Sequence, residues 1–419
     1  MLIRIFNKVY QFILGNKVLR FGLYFILLLY PFCFYFLLKY RGVNFGDITN
    51  LIIPIYVIVF IDTIYRLKLI RNSISENIIY ISKIYFIIEL LLVIIKPTNI
   101  YDKYIVDEFI LSYDYNQSNY YHLKKPFEKY QLKSDEFNFN RKANSIGIPE
   151  KEIIKNKSKN ITRILCLGDS FTEGDGADKD SSYVTFLNRS LQQKFQNIEV
   201  INGGRCGSDP FFDYKLFQDI LINYQPDIIL QSFTTNDLFF DMVKRGGNER
   251  FQQDYVIKKL NDRWWAPIYI FSYTARILIQ TIGGYDKYLI KQKEYPQLID
   301  KMKGESTTLF QEYNEFAKKN HTDLIVFSLP FKWDFSNTDN NNFHQEFETK
   351  FSKFGLKFYN LQPCYEDEIK NSHTKFQDYY WKIDGHHNAK GYEMMAKCLE
   401  EIVTPLIEKR IENQNTLVN

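Results

Sequence analysis

The stretch Ile164-Leu165-Cys166-Leu167-Gly168-Asp169-Ser170-Phe171-Thr172-Glu173-Gly174 constrains the fold of this chain more than any other. Four consecutive apolar residues meet a glycine turn, and residues 181–195 beyond it read as an amphipathic helix. A short apolar run of this kind fits a strand buried on both faces of a parallel sheet. The carboxyl end of such a strand is where open α/β sheets bind their ligands, so Ser170 would sit on a functional rim. Gly168 lets the backbone turn sharply there with no side chain in the way. Alone, Gly-Asp-Ser is also an ordinary turn; the stretches that follow decide between the two readings.

The alternation of strand-like and helix-like segments continues. Residues 198–202 read as a second strand, followed by Gly203-Gly204-Arg205-Cys206-Gly207, and residues 211–224 have helical spacing. Residues 226–233 form a third apolar run, ending in Thr234-Thr235-Asn236-Asp237. Residues 324–329 and 356–359 are the fourth and fifth, and residues 390–407 a closing helix. Short strands alternating with helices indicate an α/β fold with a parallel sheet and right-handed crossovers.

Three strand ends thereby bring Ser170, the turn at Gly207 and Asn236 to one rim. Serine is a weak nucleophile until a base takes its proton. Candidate bases come late, in Trp381-Lys382-Ile383-Asp384-Gly385-His386-His387-Asn388-Ala389-Lys390-Gly391. An acid two or three residues before a histidine can hold its tautomer and stabilise the imidazolium, so Asp384 can serve either His386 or His387. A backbone N–H at Gly207 and the Asn236 amide can donate to the oxyanion of a tetrahedral intermediate.

In these four blocks, residues 161–410 resemble the SGNH, or GDSL-type, esterases and acyl-ester hydrolases. The resemblance rests on Gly168-Asp169-Ser170, the Gly207 turn, Asn236-Asp237 and the late Asp-His pair, in that order. It implies a three-layer α/β/α domain with five parallel strands, SGNH/flavodoxin-like. It also implies a Ser-His-Asp triad, with the oxyanion held by the Ser170 N–H, the Gly207 N–H and the Asn236 amide. Two departures stand out. Thr234 occupies a place where the family usually has glycine, which bears on the turn more than on the chemistry because Asn236 is retained. The common Asp-x-x-His spacing selects His387, whereas a small residue five positions after the histidine selects His386, through Gly391. The second rule, with Asn388 fitting the same alignment, makes His386 the expected base and His387 the alternative.

The first hundred residues differ in kind. Residues 22–38 carry no charge, residues 51–65 are interrupted only by Asp62, and residues 78–95 carry Lys83 and Glu89. A bilayer needs about 20 apolar residues per span, with roughly 17 as a lower limit. Three such runs flanked by cations fit transmembrane helices better than buried helices, and no cleavage site for a signal peptide follows the first. Arg4, Lys8, Lys17 and Arg20 precede the first run, and Arg66, Lys68 and Arg71 separate the second and third. Only Lys39 and Arg41 lie between the first and second. Three spans with the amino terminus inside leave everything after Pro97 outside the cytoplasm, so the expected location is the cytoplasmic (inner) membrane with an extracytoplasmic catalytic domain; two spans would keep that domain inside. Asp62, Lys83 and Glu89 would be paired or near a membrane surface.

The expected division is a membrane anchor over 1–97, a stalk over 98–160 packed on the main domain, a hydrolase-like domain over 161–410 and a tail over 411–419. In the stalk, residues 137–140 alternate like an edge strand and residues 144–147 carry a turn signal. An insertion over 243–303, with apolar residues 264–271 and 275–282, would be a cap, a membrane-resting surface or crossover helices. Trp333, Tyr380 and Trp381 are candidates for a pocket wall, or for core.

A net charge of +4 over 419 residues, with no long basic run, excludes a nucleic-acid footprint. The five cysteines form no CxxC pair, which argues against a common zinc site; Cys206, Cys364 and Cys398 remain as bridge partners, with the pairing open. No metal or cofactor is expected. The resulting expectation is a membrane-anchored serine esterase acting on an acyl or acetyl ester, an O-acetylated glycan or a lipid. The alternatives are an O-acyltransferase working with an envelope-polysaccharide pathway partner, and a non-catalytic carbohydrate-binding scaffold.

Overall fold

The computed structural model describes residues 120–158, 160–251, 294–332 and 339–418, with short pieces at 81, 84–92, 272–275 and 277–278. The chain divides into two units, residues 1–116 with 252–292 and residues 117–251 with 293–419.

The second unit opens on an antiparallel hairpin, β1 (Lys129–Lys133) and β2 (Asn138–Lys142), with Lys133 opposite Asn138. The alternating segment at 137–140 thus contributes to one arm of a hairpin whose other arm was not anticipated. Then follow β3 (Thr162–Leu167), the single turn α1 (Ser170–Glu173), α2 (Tyr183–Lys194), β4 (Ile198–Asn202) and α3 (Pro210–Asp219). Next come β5 (Ile228–Ser232), α4 (Tyr295–Lys319), β6 (Asp323–Ser328), α5 (Asp339–Ser352), β7 (Phe358–Asn360), α6 (Gln362–Ser372) and α7 (Ala389–Val418).

β3 to β7 make a parallel sheet in the order β4-β3-β5-β6-β7. The chain steps outward from β3 to β4 and then returns to pair β5 on the other side of β3. That reversal opens a crevice at the carboxyl end of β3, where Ser170 begins α1.

The period of two along each strand sorts residues to two faces. Ile164 and Cys166, Ile228 and Leu230, and Ile325 and Phe327 share one core with Leu187 and Leu191 of α2 and Met395, Leu399 and Val403 of α7. Full burial of one such leucine contributes about 1.5–3 kcal/mol. α4 packs on β6 and α5 on β7, with α3 against α4. Here aromatic rings fill the space: Phe233 lies 5.0 Å from Phe310 and 4.8 Å from Phe347, centroid to centroid. The sheet is therefore sandwiched between two helical layers.

A disulfide joins Cys364 of α6 to Cys398 of α7, resolving the pairing left open in the sequence; Cys166 and Cys206 are free thiols. The closing helix runs beyond the expected residue 407, through most of the anticipated tail.

Among the described residues, no helix is long and apolar enough to cross a membrane. The apolar runs 22–38 and 51–65, together with Asp62 and Lys83, lie outside the described residues; residues 78–95 are described only at 81 and 84–92. In the first unit, Glu89 is fully buried and accepts from Ser272 Oγ at 2.5 Å and from the Tyr273 and Thr274 N–H groups, both at 2.9 Å. Its partners are thus the start of a helical turn. Trp333 and residues 264–271 also lie outside the described residues.

Candidate active site

The position of Ser170 is set by a turn that only glycine permits. Gly168 has φ +150, and a Cβ there would lie 2.0 Å from Ser232 Oγ of β5 and 2.5 Å from Thr172 Oγ1. Asp169 caps α1: its Oδ1 accepts from Phe171 N at 3.0 Å and its carbonyl from Glu173 N at 2.9 Å. Burial pushes the Asp169 carboxyl up to about 6, against the restraining Phe171 N–H and the neighbouring His386. Ser170 is the first residue of α1, so its N–H has no acceptor within the helix.

His386 Nε2 lies 2.8 Å from Ser170 Oγ, and His386 Nδ1 lies 2.5 Å from Asp384 Oδ1. An ionised carboxylate can only accept, so Nδ1 carries the proton and Nε2 can accept from the serine hydroxyl. Burial alone would lower the imidazole's pKa; the Asp384 bond, with the carboxylates of Asp175 and Asp169, outweighs it and the net direction is up. For Asp384, burial alone would raise the carboxyl, and the His386 bond more than reverses it. Both partners thus favour the charged pair.

His387 sits elsewhere. It is fully buried, its Nε2 is 3.2 Å from the Tyr365 hydroxyl, and its ring stacks on Tyr380 at 4.4 Å. Burial, then the neighbouring His386, pushes its pKa down to about 3, so it stays neutral. Gly391 makes room for it, since a Cβ there would lie 2.1 Å from the Tyr379 carbonyl and 2.3 Å from His387 Cδ2. The small residue five positions after His386 is thus required by the packing of His387. Tyr380 belongs to the core, with its hydroxyl donating to Pro330 O at 2.6 Å, whereas Trp381 packs on Phe137.

Gly207 and Asn236 follow the two strands flanking β3. The Gly207 turn is tied to the nucleophile turn by Arg205 N donating to Gly168 O at 3.0 Å. The Cys206 carbonyl lies 2.8 Å from His122 Nε2 and can only accept, so His122 donates. In a trans peptide the two groups point in opposite directions within one plane, so this bond aims the Gly207 N–H away from His122. Burial, then Arg245 and Arg205, holds His122 down at about 3, and it donates as the neutral imidazole. Asn236 Nδ2 donates to Asp241 Oδ2 at 3.4 Å, leaving its second N–H for another acceptor. Thr234 gives its N–H and hydroxyl to the buried Asp237 carboxylate, at 2.7 and 2.9 Å. The residue that replaces the usual glycine therefore caps its own turn.

Neither His122 nor Glu136, whose carboxylate contacts the Asp384 loop, stands out in the sequence; each is a lone polar residue far from the four blocks. Among the described residues, no group of three His, Cys, Asp or Glu side chains is placed to hold a metal ion.

The fold and site define a doubly wound α/β protein with a serine, a histidine and an aspartate hydrogen-bonded in series at the sheet's switch point. The chain belongs to the GDSL-like Lipase/Acylhydrolase family, which it matches over residues 166–394. No curated protein matches it by sequence. Among solved structures it is similar to a two-domain esterase (CEX) active on acetylated mannans, at 13% identity and a TM-score of 0.36. That match covers 58% of this chain and 49% of the other, so the chain spans about half the length of that esterase. It is also similar to LAE5, an alpha/beta hydrolase enzyme from the metagenome of Lake Arreo, Spain (14% identity, 58% and 95% covered, TM-score 0.37). A third similar structure is a catalytic mutant of Axe2, an acetylxylan esterase from Geobacillus stearothermophilus (14% identity, 59% and 94% covered, TM-score 0.35). Likenesses at this level do not extend to substrate.

Proposed function

We propose that this chain is a serine esterase that hydrolyses an acyl or acetyl ester through Ser170, His386 and Asp384. The observation that carries the reading is the unbroken series from Ser170 Oγ through the His386 ring to Asp384, at 2.8 and 2.5 Å. Ser170 Oγ attacks the ester carbonyl while His386 Nε2 takes its proton; Asp384 stabilises the imidazolium that forms. The Ser170 and Gly207 N–H groups and the Asn236 amide receive the developing oxyanion. His386 then returns the proton to the leaving alcohol, and the base-activated attack of water on the acyl-serine releases the acid and frees Ser170.

Apolar runs within residues 22–95 anchor the chain in the cytoplasmic membrane, and the cation distribution around them puts the catalytic domain on the extracytoplasmic side. An O-acetylated glycan or a lipid ester is the substrate class such a location offers. The test is hydrolysis of p-nitrophenyl acetate and longer p-nitrophenyl esters by the full-length protein in detergent, beside Ser170→Ala. We expect turnover that falls by roughly 10³–10⁶ in the variant. No turnover of any chain length by folded protein would sink simple hydrolysis; turnover appearing only with an added sugar acceptor would replace it by acyl transfer.

A further inference from the structure

The loop bearing Asp384 and His386 is not part of the sheet. It is tied internally by Trp381 N donating to His386 O at 2.8 Å, and the most concentrated hold from elsewhere in the unit is a carboxylate from the turn of the β1–β2 hairpin. Glu136 Oε1 accepts from Lys382 N at 3.0 Å, and its Oε2 accepts from Ile383 N at 2.6 Å and Asp384 N at 2.8 Å. Three successive backbone donors thus converge on one side chain, the last being the N–H of Asp384 itself. From the other side, Lys332 Nζ donates to the carbonyls of Trp381, at 2.9 Å, and Lys382. Trp381 Nε1 closes the loop's near end on Gly176 O at 2.6 Å.

The hairpin itself is seated on the domain by other contacts: Arg141 donates to the Gly174 and Ala177 carbonyls, at 3.2 and 2.6 Å, Tyr130 donates to Glu173 at 2.5 Å, and Phe137 packs on Trp381. Ile383 is 74% exposed, so the loop is not pinned by burial at its tip. A carboxylate accepting from consecutive N–H groups makes charge-assisted bonds, stronger than their neutral counterparts. The hairpin also lies outside residues 166–394, the segment that matches the family.

We propose that Glu136 is a positioning residue for catalysis: its carboxylate fixes the backbone of residues 382–384 so that Asp384 meets His386 Nδ1. This rests on the reading of Asp384 and His386 as the acid and base of the site. Glu136 touches neither substrate nor the reacting atoms and acts through Asp384. Its loss would let Asp384 drift, weakening the contact that orients the imidazole; misplacement by about 1 Å can cost roughly 10²-fold in rate. Glu136→Gln keeps one carbonyl acceptor and so should retain part of the clamp, which Glu136→Ala removes.

The experiment is a double-mutant cycle in the full-length protein, reading kcat, KM and the pH profile for Glu136→Ala, Glu136→Gln, Asp384→Ala and the double variants. We expect Glu136→Ala to lower kcat by about 10- to 100-fold with KM within about twofold, Glu136→Gln to lose less, and the acid limb to move to lower pH. In the Asp384→Ala background, neither Glu136 substitution should cost more. A folded Glu136→Ala with kcat within about twofold of the parent, or losses that multiply fully with Asp384→Ala, would overturn the proposal. If Glu136→Ala does not fold, Glu136→Gln in the same cycle decides by the same criteria. An Asp384→Ala variant with unchanged kcat would instead overturn the acid assignment beneath it.

Discussion

The two halves of the site are built by different means. Ser170 stands at the end of β3, a strand buried along its whole length, hydrogen-bonded on both sides and followed by a capped helical turn. Asp384 and His386 stand on a loop whose only ladder contact is an isolated bridge between Tyr380 and His387. Backbone register and core packing hold the first; the second leans on side chains of Glu136, Lys332 and Trp381, with the buried His387 and one backbone bond from Trp381 N to His386 O beside them. A nucleophile at a sheet's switch point inherits its position from the fold. An acid–base pair on a loop between elements has to be placed by specific contacts, and its precision can be lost without unfolding the domain.

The adjacent histidines allow that contrast to be broken most sharply. His386→Ala should lower kcat by roughly 10³–10⁶ and cost less stability than His387→Ala, because its ring is only partly buried, between Ser170 and Phe171. His387→Ala removes a fully buried ring packed on Tyr365 and Tyr380, and should cost about 2–4 kcal/mol in stability while activity per folded molecule falls less than about tenfold. Denaturant midpoints and kcat measured on the same preparations check both. The reverse pattern would put the base in the core and dissolve the distinction between the two parts of the loop.

A smaller effect sharpens the electrostatic side. A base must be neutral to accept the serine proton, and the pKa of His386 is raised. The kcat/KM profile should therefore rise with pH through an acid limb above about 6.5, the ordinary histidine value. In Asp384→Asn the limb should shift down, since that carboxylate opposes the cost of burial. A limb at or below the ordinary value in the parent protein would contradict the paired arrangement.

Most of the sheet was legible in the residues. Ile198–Asn202 has the bounds expected for it, and the other four strands end within a residue or two of expectation, because each is a short apolar run closed by turn residues. The blocks carrying Ser170, Gly207 and Asn236 were legible for the same reason: strand ends announce themselves. The choice between His386 and His387 rested on Gly391, and the packing shows what that glycine does, giving space to the buried neighbour. The hairpin's first arm was missed because Lys129–Lys133 is mostly polar and only Leu132 is buried. Glu136 and His122 could not be read at all. Their contacts reach across 246 and 84 residues, respectively, to backbone groups, which leave no trace in residue type.

The central claim is that Ser170 is the nucleophile, and covalent trapping tests it most directly. The full-length protein would be treated with a fluorophosphonate and digested, and the adduct located by mass spectrometry as hydrolysis is followed. We predict one adduct, on Ser170, whose extent tracks the loss of activity and which forms far more slowly in His386→Ala. Inhibition with the adduct on another residue, or ester turnover that survives full modification of Ser170, would contradict the account.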